Sequence, residues 1–170
     1  MKILIDRNKI EKRVKELGKE ITADYKDKNP VFVGILKGAF IFLADLVRNV
    51  NLDVEFDFVV VSLYKGKKSP GMIILEREVL TDLSSRDVIL VDEILDTGKT
   101  LDFLVNHIRE KGAKSIKTCI LLSKRKKREV SVKADYVGFE IEDKFVVGYG
   151  LDYNQRYRNL PFVGLMDEKD

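Results

Sequence analysis

The sequence predicts an α/β fold with a central parallel sheet covered by helices on both faces. Two observations predict it. Apolar runs with the length of strands alternate along the chain with segments in which apolar residues recur every three or four positions, as they do in helices. Strand-like runs such as VFVGIL (31–36) and VILVD (88–92) are apolar at nearly every position, which is typical of parallel strands that are buried on both faces.

The elements are predicted in chain order from these patterns. A helix over 8–25 follows from apolar residues that recur between Ile10 and Ile21, with Asp6 or Asn8 as its N-cap. Further helices are predicted over 39–49 and 99–111, and strands over 31–36, 54–63, 72–79, 88–92, 115–123, 135–141 and 144–152. The strand 72–79 is expected to run antiparallel to 54–63.

Composition limits the class of protein. A chain of 170 residues suits a single domain over 1–170. The net charge of +3 argues against a protein that grips nucleic acid over its whole surface. The single cysteine, Cys119, lies in an apolar run and is expected to be a buried thiol. No secretory leader and no apolar stretch of about 20 residues is found, so we expect a cytoplasmic protein without a membrane partner.

The stretch VILVDEILDTGKTL (88–101) combines acids with a phosphate-binding pattern. Asp92 and Glu93 end a predicted buried strand, where a charge needs a partner. The polar loop 96–100 then enters a helix, whose exposed N–H groups suit a phosphate. A ribose phosphate suits both the acids and the loop, because its hydroxyls donate hydrogen bonds to the acids while its phosphate binds the N–H groups. The glycine that a Walker A motif requires at position 93 is missing, which disfavours a P-loop NTPase.

This stretch resembles the phosphoribosyl-pyrophosphate signature of the type I phosphoribosyltransferases, in which hydrophobic residues, two acids, two more hydrophobic residues and D-T-G-x-T follow one another. The resemblance implies that family's fold, with a small hood and a flexible active-site loop. It implies that Asp96 is the catalytic general base. The residues implied to bind the phosphoribosyl group and its 5′-phosphate are Asp92, Glu93, Asp96, Thr97, Gly98, Lys99 and Thr100. Related enzymes usually carry the adjacent acids as Glu-Asp, so the two side-chain lengths are exchanged here.

Three further segments resemble the hypoxanthine/guanine branch of that family. LKGA (36–39) is similar to the pyrophosphate-binding loop, which implies a cis peptide between Leu36 and Lys37. Ser62, Leu63 and Tyr64 lead into YKGKKSPG (64–71), which is similar to the flexible loop and has a mobile-loop composition. The third segment, KADYVGFEIEDKFVVGYGLDYNQRYRNL (133–160), is similar to the part that forms the purine wall. The resemblance implies that pyrophosphate is bound by Leu36, Lys37, Gly38 and Arg158. It implies that the purine is bound by Lys124, Phe145, Val146 and Asp152.

The same resemblance implies further properties. Phe145 would stack on the purine, and Lys124 would donate to the oxygen at its six position. Mg²⁺ would be held largely by substrate oxygens, with Asp152, Glu93 and Asp92 as the candidate protein ligands. The expected substrates are a purine base and phosphoribosyl pyrophosphate, without a nucleic-acid partner, in a homodimer or homotetramer. The alternatives are a xanthine-guanine or adenine specificity, or an RNA-binding regulator on the same fold.

Several other residues have structural interpretations. Tyr149, Tyr153 and Tyr157 are expected to pack in the core. The basic run 124–128 is interpreted as a solvated loop with one functional lysine. His107 is expected at the surface of its helix, outside the apolar stripe.

Overall fold

The computed structural model describes residues 1–66, 69–124 and 128–166, without the side chains of 64–66 and 69–70. The predicted loop 64–71 and the basic run 124–128 therefore lie partly outside the described residues, as does the side chain of Tyr64. In chain order the elements are β1 (Lys2–Ile5), α1 (Arg7–Asp24), β2 (Val31–Leu36), α2 (Phe40–Val47), β3 (Glu55–Gly66), β4 (Ser69–Arg77), β5 (Asp87–Leu95), α3 (Lys99–Glu110), β6 (Ser115–Lys124), β7 (Tyr136–Ile141), β8 (Val146–Val147) and β9 (Val163–Leu165).

The main sheet has six strands in the order β4-β3-β2-β5-β6-β7. The strands β2, β3, β5, β6 and β7 are parallel, and β4 runs antiparallel to β3. These pairings confirm the predicted fold class and the predicted orientation of 72–79. They also place the ends of β2, β5 and β6 at the same edge of the sheet, where loops from parallel strands meet.

Both faces of the main sheet are buried, as the apolar strands predict. Successive side chains of a strand point to opposite faces, so Ile89 and Val91 pack with α1 and α2 while Val88 and Leu90 pack with α3. Cys119 is buried in the first of these clusters. No helix among the described residues is both long enough and apolar enough to cross a membrane.

The helix α1 begins where its cap was predicted. Asp6 is the N-cap, and its Oδ1 accepts a hydrogen bond of 3.0 Å from the N–H of Lys9. The other side of α1 reaches the outer strand of the sheet: the guanidinium of Arg13 donates to the carbonyl oxygens of Val137 and Gly138, at 2.8 and 3.1 Å. Arg13 thereby fixes α1 to β7, the last strand of the main sheet.

A second sheet has three strands in the order β1-β9-β8, and β9 pairs antiparallel with both neighbours. Its strands β1 and β9 were not predicted. The predicted strand 144–152 is wrong beyond Val147, because Gly148, Tyr149 and Gly150 all have positive φ values, of 98°, 50° and 103°. Such a backbone turns instead of extending.

Two further expectations differ from the structure. β3 continues to Gly66 and β4 begins at Ser69, so most of 64–71 belongs to a β-hairpin instead of a loop. His107 is half-buried instead of exposed, because its ring stacks on Phe103 and its Nε2 lies 2.7 Å from Glu78 Oε2.

Candidate active site

A cavity of about 380 Å³ opens at the carboxyl ends of β2, β3 and β5. Four chain segments that are distant in sequence contribute side chains to it. The predicted site residues that line it are Leu36, Lys37, Gly38, Ser62, Leu63, Asp92, Glu93, Asp96, Thr97, Gly98, Thr100, Asp152 and Arg158. The structure thus brings together the predicted ribose-phosphate and pyrophosphate residues at one place.

The loop 96–100 leads directly into α3, and its shape depends on Gly98. This residue has φ of 88° and forms the N-cap of the helix. A Cβ at this position would lie 2.6 Å from Val132 Cγ1, so no larger residue fits without a shift. The carbonyl of Thr97 accepts a 2.9 Å hydrogen bond from the N–H of Glu129. The first N–H groups of α3, which have no acceptor within the helix, face the ligand side of such a loop and suit an anion.

Asp92 and Glu93 occupy different depths of the cavity. Asp92 is 8% exposed, and its Oδ1 accepts a 2.9 Å hydrogen bond from the N–H of Glu93. Burial, and then the neighbouring Glu93 carboxylate, raises the pKa of Asp92 well above its usual range. Glu93 is half-buried and its carboxylate lies against Gly38. The exchanged order of the acids therefore puts the shorter side chain at the buried position.

The loop 36–38 carries a cis peptide between Leu36 and Lys37, which confirms what the resemblance implied. The loop 148–152 lies beside it. A Cβ at Gly150 would lie 2.1 Å from the carbonyl oxygen of Gly38, so the two backbones touch. Arg158 donates to the carbonyl oxygen of Gly150 at 2.6 Å and pairs with Asp152 at 2.8 Å. The predicted pyrophosphate residues therefore form one connected group.

Lys124 connects this cavity to the predicted purine wall. It is only 6% exposed, at the end of β6. Its Nζ lies 3.7 Å from Asp96 Oδ2 and 3.3 Å from Asp143 Oδ1. Two carboxylates offset the cost of burying the ammonium group. Asp143 was not predicted as a site residue, although it stands two residues before Phe145.

The aromatic part of the wall is exposed. The Phe145 ring is 53% exposed and meets the Tyr153 ring edge to face, with centroids 5.7 Å apart. Tyr153 is itself 42% exposed, so the prediction that it packs in the core is wrong. Tyr149 is buried as predicted, and Tyr157 is half-buried. Val146 is buried in the strand β8 and follows Phe145 directly.

Two basic residues make contacts that the sequence does not specify. The ammonium of Lys99 pairs with Glu129, and its side chain lines a separate groove along α3. Arg128 is half-buried instead of solvated: it donates to the carbonyl oxygens of Leu95 and Asp96 at 2.9 and 2.7 Å. Arg128 thus binds the chain where β5 ends and loop 96–100 begins. Because Arg128 is one of five consecutive basic residues, the sequence alone does not distinguish it from its neighbours.

The predicted metal ligands do not form a common ligand set. Asp92, Glu93 and Asp152 line the same cavity. Yet within 1–66, 69–124 and 128–166 no three acidic, histidine or cysteine side chains are grouped as a metal site. Asp152 still fits an arrangement with one protein carboxylate, since its Oδ1 is ion-paired with Arg158 and its Oδ2 accepts one hydrogen bond from the N–H of Gln155, so lone pairs remain for a metal ion.

Comparison with known proteins agrees with this geometry. The family model described as a phosphoribosyl transferase domain matches residues 2–154. A hypoxanthine-guanine phosphoribosyltransferase of Bacillus subtilis is 46% identical over 166 residues, which cover 97% of this chain and 92% of the relative.

Solved structures give the same result. A hypoxanthine phosphoribosyltransferase of Staphylococcus aureus superposes with a TM-score of 0.95 at 35% identity, covering 99% of this chain and 92% of the other. The Trypanosoma cruzi enzyme in complex with its product IMP superposes with a TM-score of 0.93 at 36% identity, covering 99% and 95%. Since the family model matches most of the chain and the relatives match nearly all of it, this chain belongs to the phosphoribosyltransferase family.

Proposed function

We propose that the chain transfers the 5-phosphoribosyl group from phosphoribosyl pyrophosphate to hypoxanthine and guanine. The products are the nucleoside monophosphates IMP and GMP and pyrophosphate, as in purine salvage. The observation that carries the proposal is the contact between Lys124 and Asp96, because it joins a purine-reading residue to the ribose-phosphate cavity. Two relatives support the same reaction: the hypoxanthine-guanine phosphoribosyltransferase of Bacillus subtilis and the Trypanosoma cruzi enzyme in complex with its product IMP.

The phosphoribosyl group would lie along the edge of β5. The loop 96–100 would hold the 5′-phosphate through its N–H groups and through Thr97 and Thr100, at the positive end of α3. Glu93 and the deeper Asp92 would accept hydrogen bonds from the ribose hydroxyls. The pyrophosphate group would lie between loop 36–38 and Arg158, which offer backbone N–H groups and a guanidinium.

Asp96 would act as the general base. As N9 of the purine attacks C1′ of the ribose and the bond from C1′ to the pyrophosphate oxygen breaks, the proton on N7 must leave. The Asp96 carboxylate takes it, and the ammonium of Lys124 lies 3.7 Å from Asp96 Oδ2.

Lys124 would select the base. Its ammonium can only donate, so it suits the oxygen at position six of hypoxanthine and guanine. The amino group of adenine would place a second donor against it, and a buried donor without an acceptor is costly. The exposed ring of Phe145 would stack on the base, with Tyr153 supporting it from the side.

Mg²⁺ would be held by substrate oxygens with Asp152 as a protein ligand, and it would neutralise the charge that builds on the departing pyrophosphate. Arg158 already pairs with Asp152, so it would place a further positive charge next to the same phosphate oxygens.

We extend the proposal to assembly as a homodimer or homotetramer. Phe40 at the start of α2 and Phe56 on β3 expose 45% and 57% of their surfaces, and burying such rings against a second copy is favourable. Light scattering coupled to size-exclusion chromatography measures the mass: a monomer at micromolar concentration contradicts this part.

Turnover of four purines tests the reaction. The purified protein is supplied with Mg²⁺ and phosphoribosyl pyrophosphate and with hypoxanthine, guanine, xanthine or adenine, and pyrophosphate release is measured. We expect hypoxanthine and guanine to be consumed and adenine to be left. A preference for xanthine would favour the xanthine-guanine alternative. No turnover of either hypoxanthine or guanine would overturn the proposal.

A further inference from the structure

A buried tyrosine connects the two loops that would hold pyrophosphate. Tyr149 is 6% exposed, and its hydroxyl donates a 2.6 Å hydrogen bond to Asp45 Oδ2 on α2. Burial, and then this hydrogen bond, raises the pKa of Tyr149, so the hydroxyl keeps its proton and remains a donor. No step of the proposed reaction uses either residue.

The backbone around Tyr149 is held in an unusual conformation. It is the one non-glycine residue in the run 148–150, where all three φ values are positive. Such a conformation is unfavourable for a tyrosine and persists where the surroundings enforce it. Its N–H donates to the carbonyl of Leu160 at 2.9 Å, and the N–H of Gly150 donates to the carbonyl of Arg158 at 2.9 Å.

The next residue is the one that touches the other loop. Gly150 packs on the carbonyl oxygen of Gly38 so closely that a Cβ would lie 2.1 Å from it. The carbonyl of Gly150 also receives the guanidinium of Arg158 at 2.6 Å. A displacement of Gly150 therefore moves the contacts to both Gly38 and Arg158.

The partner of Tyr149 belongs to the helix that follows loop 36–38. α2 begins at Phe40, two residues after Gly38, and Asp45 lies five residues further on. The bond between Tyr149 and Asp45 thus fixes loop 148–152 to the helix that follows loop 36–38. The contact between Gly150 and Gly38 is a second connection between the same two parts of the chain.

We propose that Tyr149, through Asp45, is a positioning residue that sets the spacing between loop 36–38 and Arg158 to the size of a pyrophosphate group. This rests on the proposed function insofar as pyrophosphate is the leaving group. The tyrosine itself touches no substrate and acts by holding Gly150 in place.

The chain offers a matched control. Tyr136 is 5% exposed, and its hydroxyl also donates to an aspartate, Asp24 Oδ2, at 2.5 Å. That pair joins β7 to α1, away from both loops. Tyr149→Phe and Tyr136→Phe each remove one buried hydroxyl and one bond to a carboxylate. Similar losses of thermal stability are therefore expected in both variants.

The kinetic effects should separate the two variants. For Tyr149→Phe we expect KM for phosphoribosyl pyrophosphate, and KM for pyrophosphate in the reverse reaction from IMP, to rise about tenfold, the effect of losing one such bond. KM for hypoxanthine should change less than about twofold, and Tyr136→Phe should leave all three constants near those of the wild type. An unchanged KM for phosphoribosyl pyrophosphate in Tyr149→Phe would overturn the inference, and so would an equal rise in Tyr136→Phe.

Substitutions of Asp45 provide a second test of the positioning role. Asp45→Asn keeps an oxygen that accepts from Tyr149, so pyrophosphate affinity should stay near the wild-type value. Asp45→Ala should reproduce the defect of Tyr149→Phe, and the double variant should be no worse than either single one. Additive losses would contradict a shared role.

Direct binding distinguishes this inference from the proposed reaction. Calorimetry with pyrophosphate and Mg²⁺ needs no purine turnover. If the wild type fails to convert hypoxanthine or guanine but Tyr149→Phe still weakens pyrophosphate binding, the reaction is wrong and the positioning role stands. A wild type that binds no pyrophosphate would overturn the positioning role itself.

Discussion

The carboxylate of Glu93 lies directly against the backbone of Gly38. A Cβ at residue 38 would fall 1.8 Å from Glu93 Oε1 and 2.0 Å from its Cδ. The acid at the end of β5 therefore occupies the space that any other residue at position 38 would need. The predicted ribose-binding acid and the predicted pyrophosphate loop are therefore in direct contact.

The substitution Gly38→Ala should therefore disable the site without unfolding the protein. Either the Glu93 carboxylate or the loop 36–38 must move by an ångström or more, and a displacement of that size costs about 100-fold in rate. We expect kcat/KM for phosphoribosyl pyrophosphate to fall by about that factor. Steady-state kinetics measure it, with circular dichroism as the check on folding.

A double-mutant cycle identifies the cause. In the background of Glu93→Ala the added methyl group no longer meets a carboxylate, so Gly38→Ala should reduce kcat/KM only slightly further. Strict additivity of the two losses would show that the contact between these residues is not the reason.

The sequence predicted those elements whose apolar pattern reports burial. α1 and β2 were located within a residue or two, because their apolar positions face a core that covers the sheet on both sides. β1 and β9 were missed because each is short and pairs with the other across almost the whole chain. A local pattern of three or four residues contains no information about such a distant partner.

The candidate site was predictable as a set of positions but not as a set of contacts. The parallel sheet dictates that the ends of β2, β5 and β6 meet at one edge, which places Gly38, Asp96 and Lys124 near one another. The roles of Asp143 and Arg128 depend on which neighbours their side chains reach after folding. Spacing along the chain does not specify such contacts.

The substitution Asp96→Asn tests the general base. The amide keeps the size of the side chain but cannot take the proton from N7, so kcat should fall by about 100- to 10,000-fold. The dissociation constant for phosphoribosyl pyrophosphate should stay within about threefold, since Thr97 and the N–H groups of α3 are unchanged. Rapid-quench kinetics and calorimetry measure the two quantities. A kcat equal to that of the wild type would remove Asp96 as the base.

The substitution Lys124→Met tests base selection. The thioether preserves most of the buried volume but donates no hydrogen bond to the six-position oxygen. We expect kcat/KM for hypoxanthine to fall at least about tenfold, and the preference for hypoxanthine over adenine to fall with it. Competition between the two bases measures the preference directly.

Lys117→Met is the control for that experiment. Lys117 lies on the same strand, at its other end, and pairs with Asp24 at 3.5 Å. Its removal should leave the preference among purines unchanged. If both variants alter the preference equally, the effect comes from β6 as a whole and not from Lys124.

The last prediction concerns stability at the root of the β-hairpin. Asp57 is buried on β3, where its Oδ2 accepts from the N–H groups of Leu80 and Thr81 at 2.7 and 2.8 Å. Its Oδ1 accepts from the N–H of Phe58 at 2.7 Å. In Asp57→Asn the side-chain NH₂ group would face one of these backbone N–H groups, and neither could accept. We expect this to lower the free energy of unfolding by about 2 kcal/mol. A loss of that size lowers Tm by about 4–8 °C in a chain of this length.

The cost of Asp57→Asn should depend on pH in a defined direction. Burial alone would raise the pKa of Asp57, but the three N–H groups hold it below its usual range. A carboxyl whose folded pKa lies below the unfolded value of about 3.9 stabilises the protein above that value and loses this stabilisation as the pH falls through the folded pKa. Urea unfolding should therefore show the full difference between wild type and variant at pH 7 and a smaller one at about pH 3.

The exposed Asp53 provides a control: Asp53→Asn should change stability by less than about 0.5 kcal/mol at both pH values. A difference between the Asp57 variant and the wild type that does not shrink in acid would show that packing, and not the charge of Asp57, is responsible.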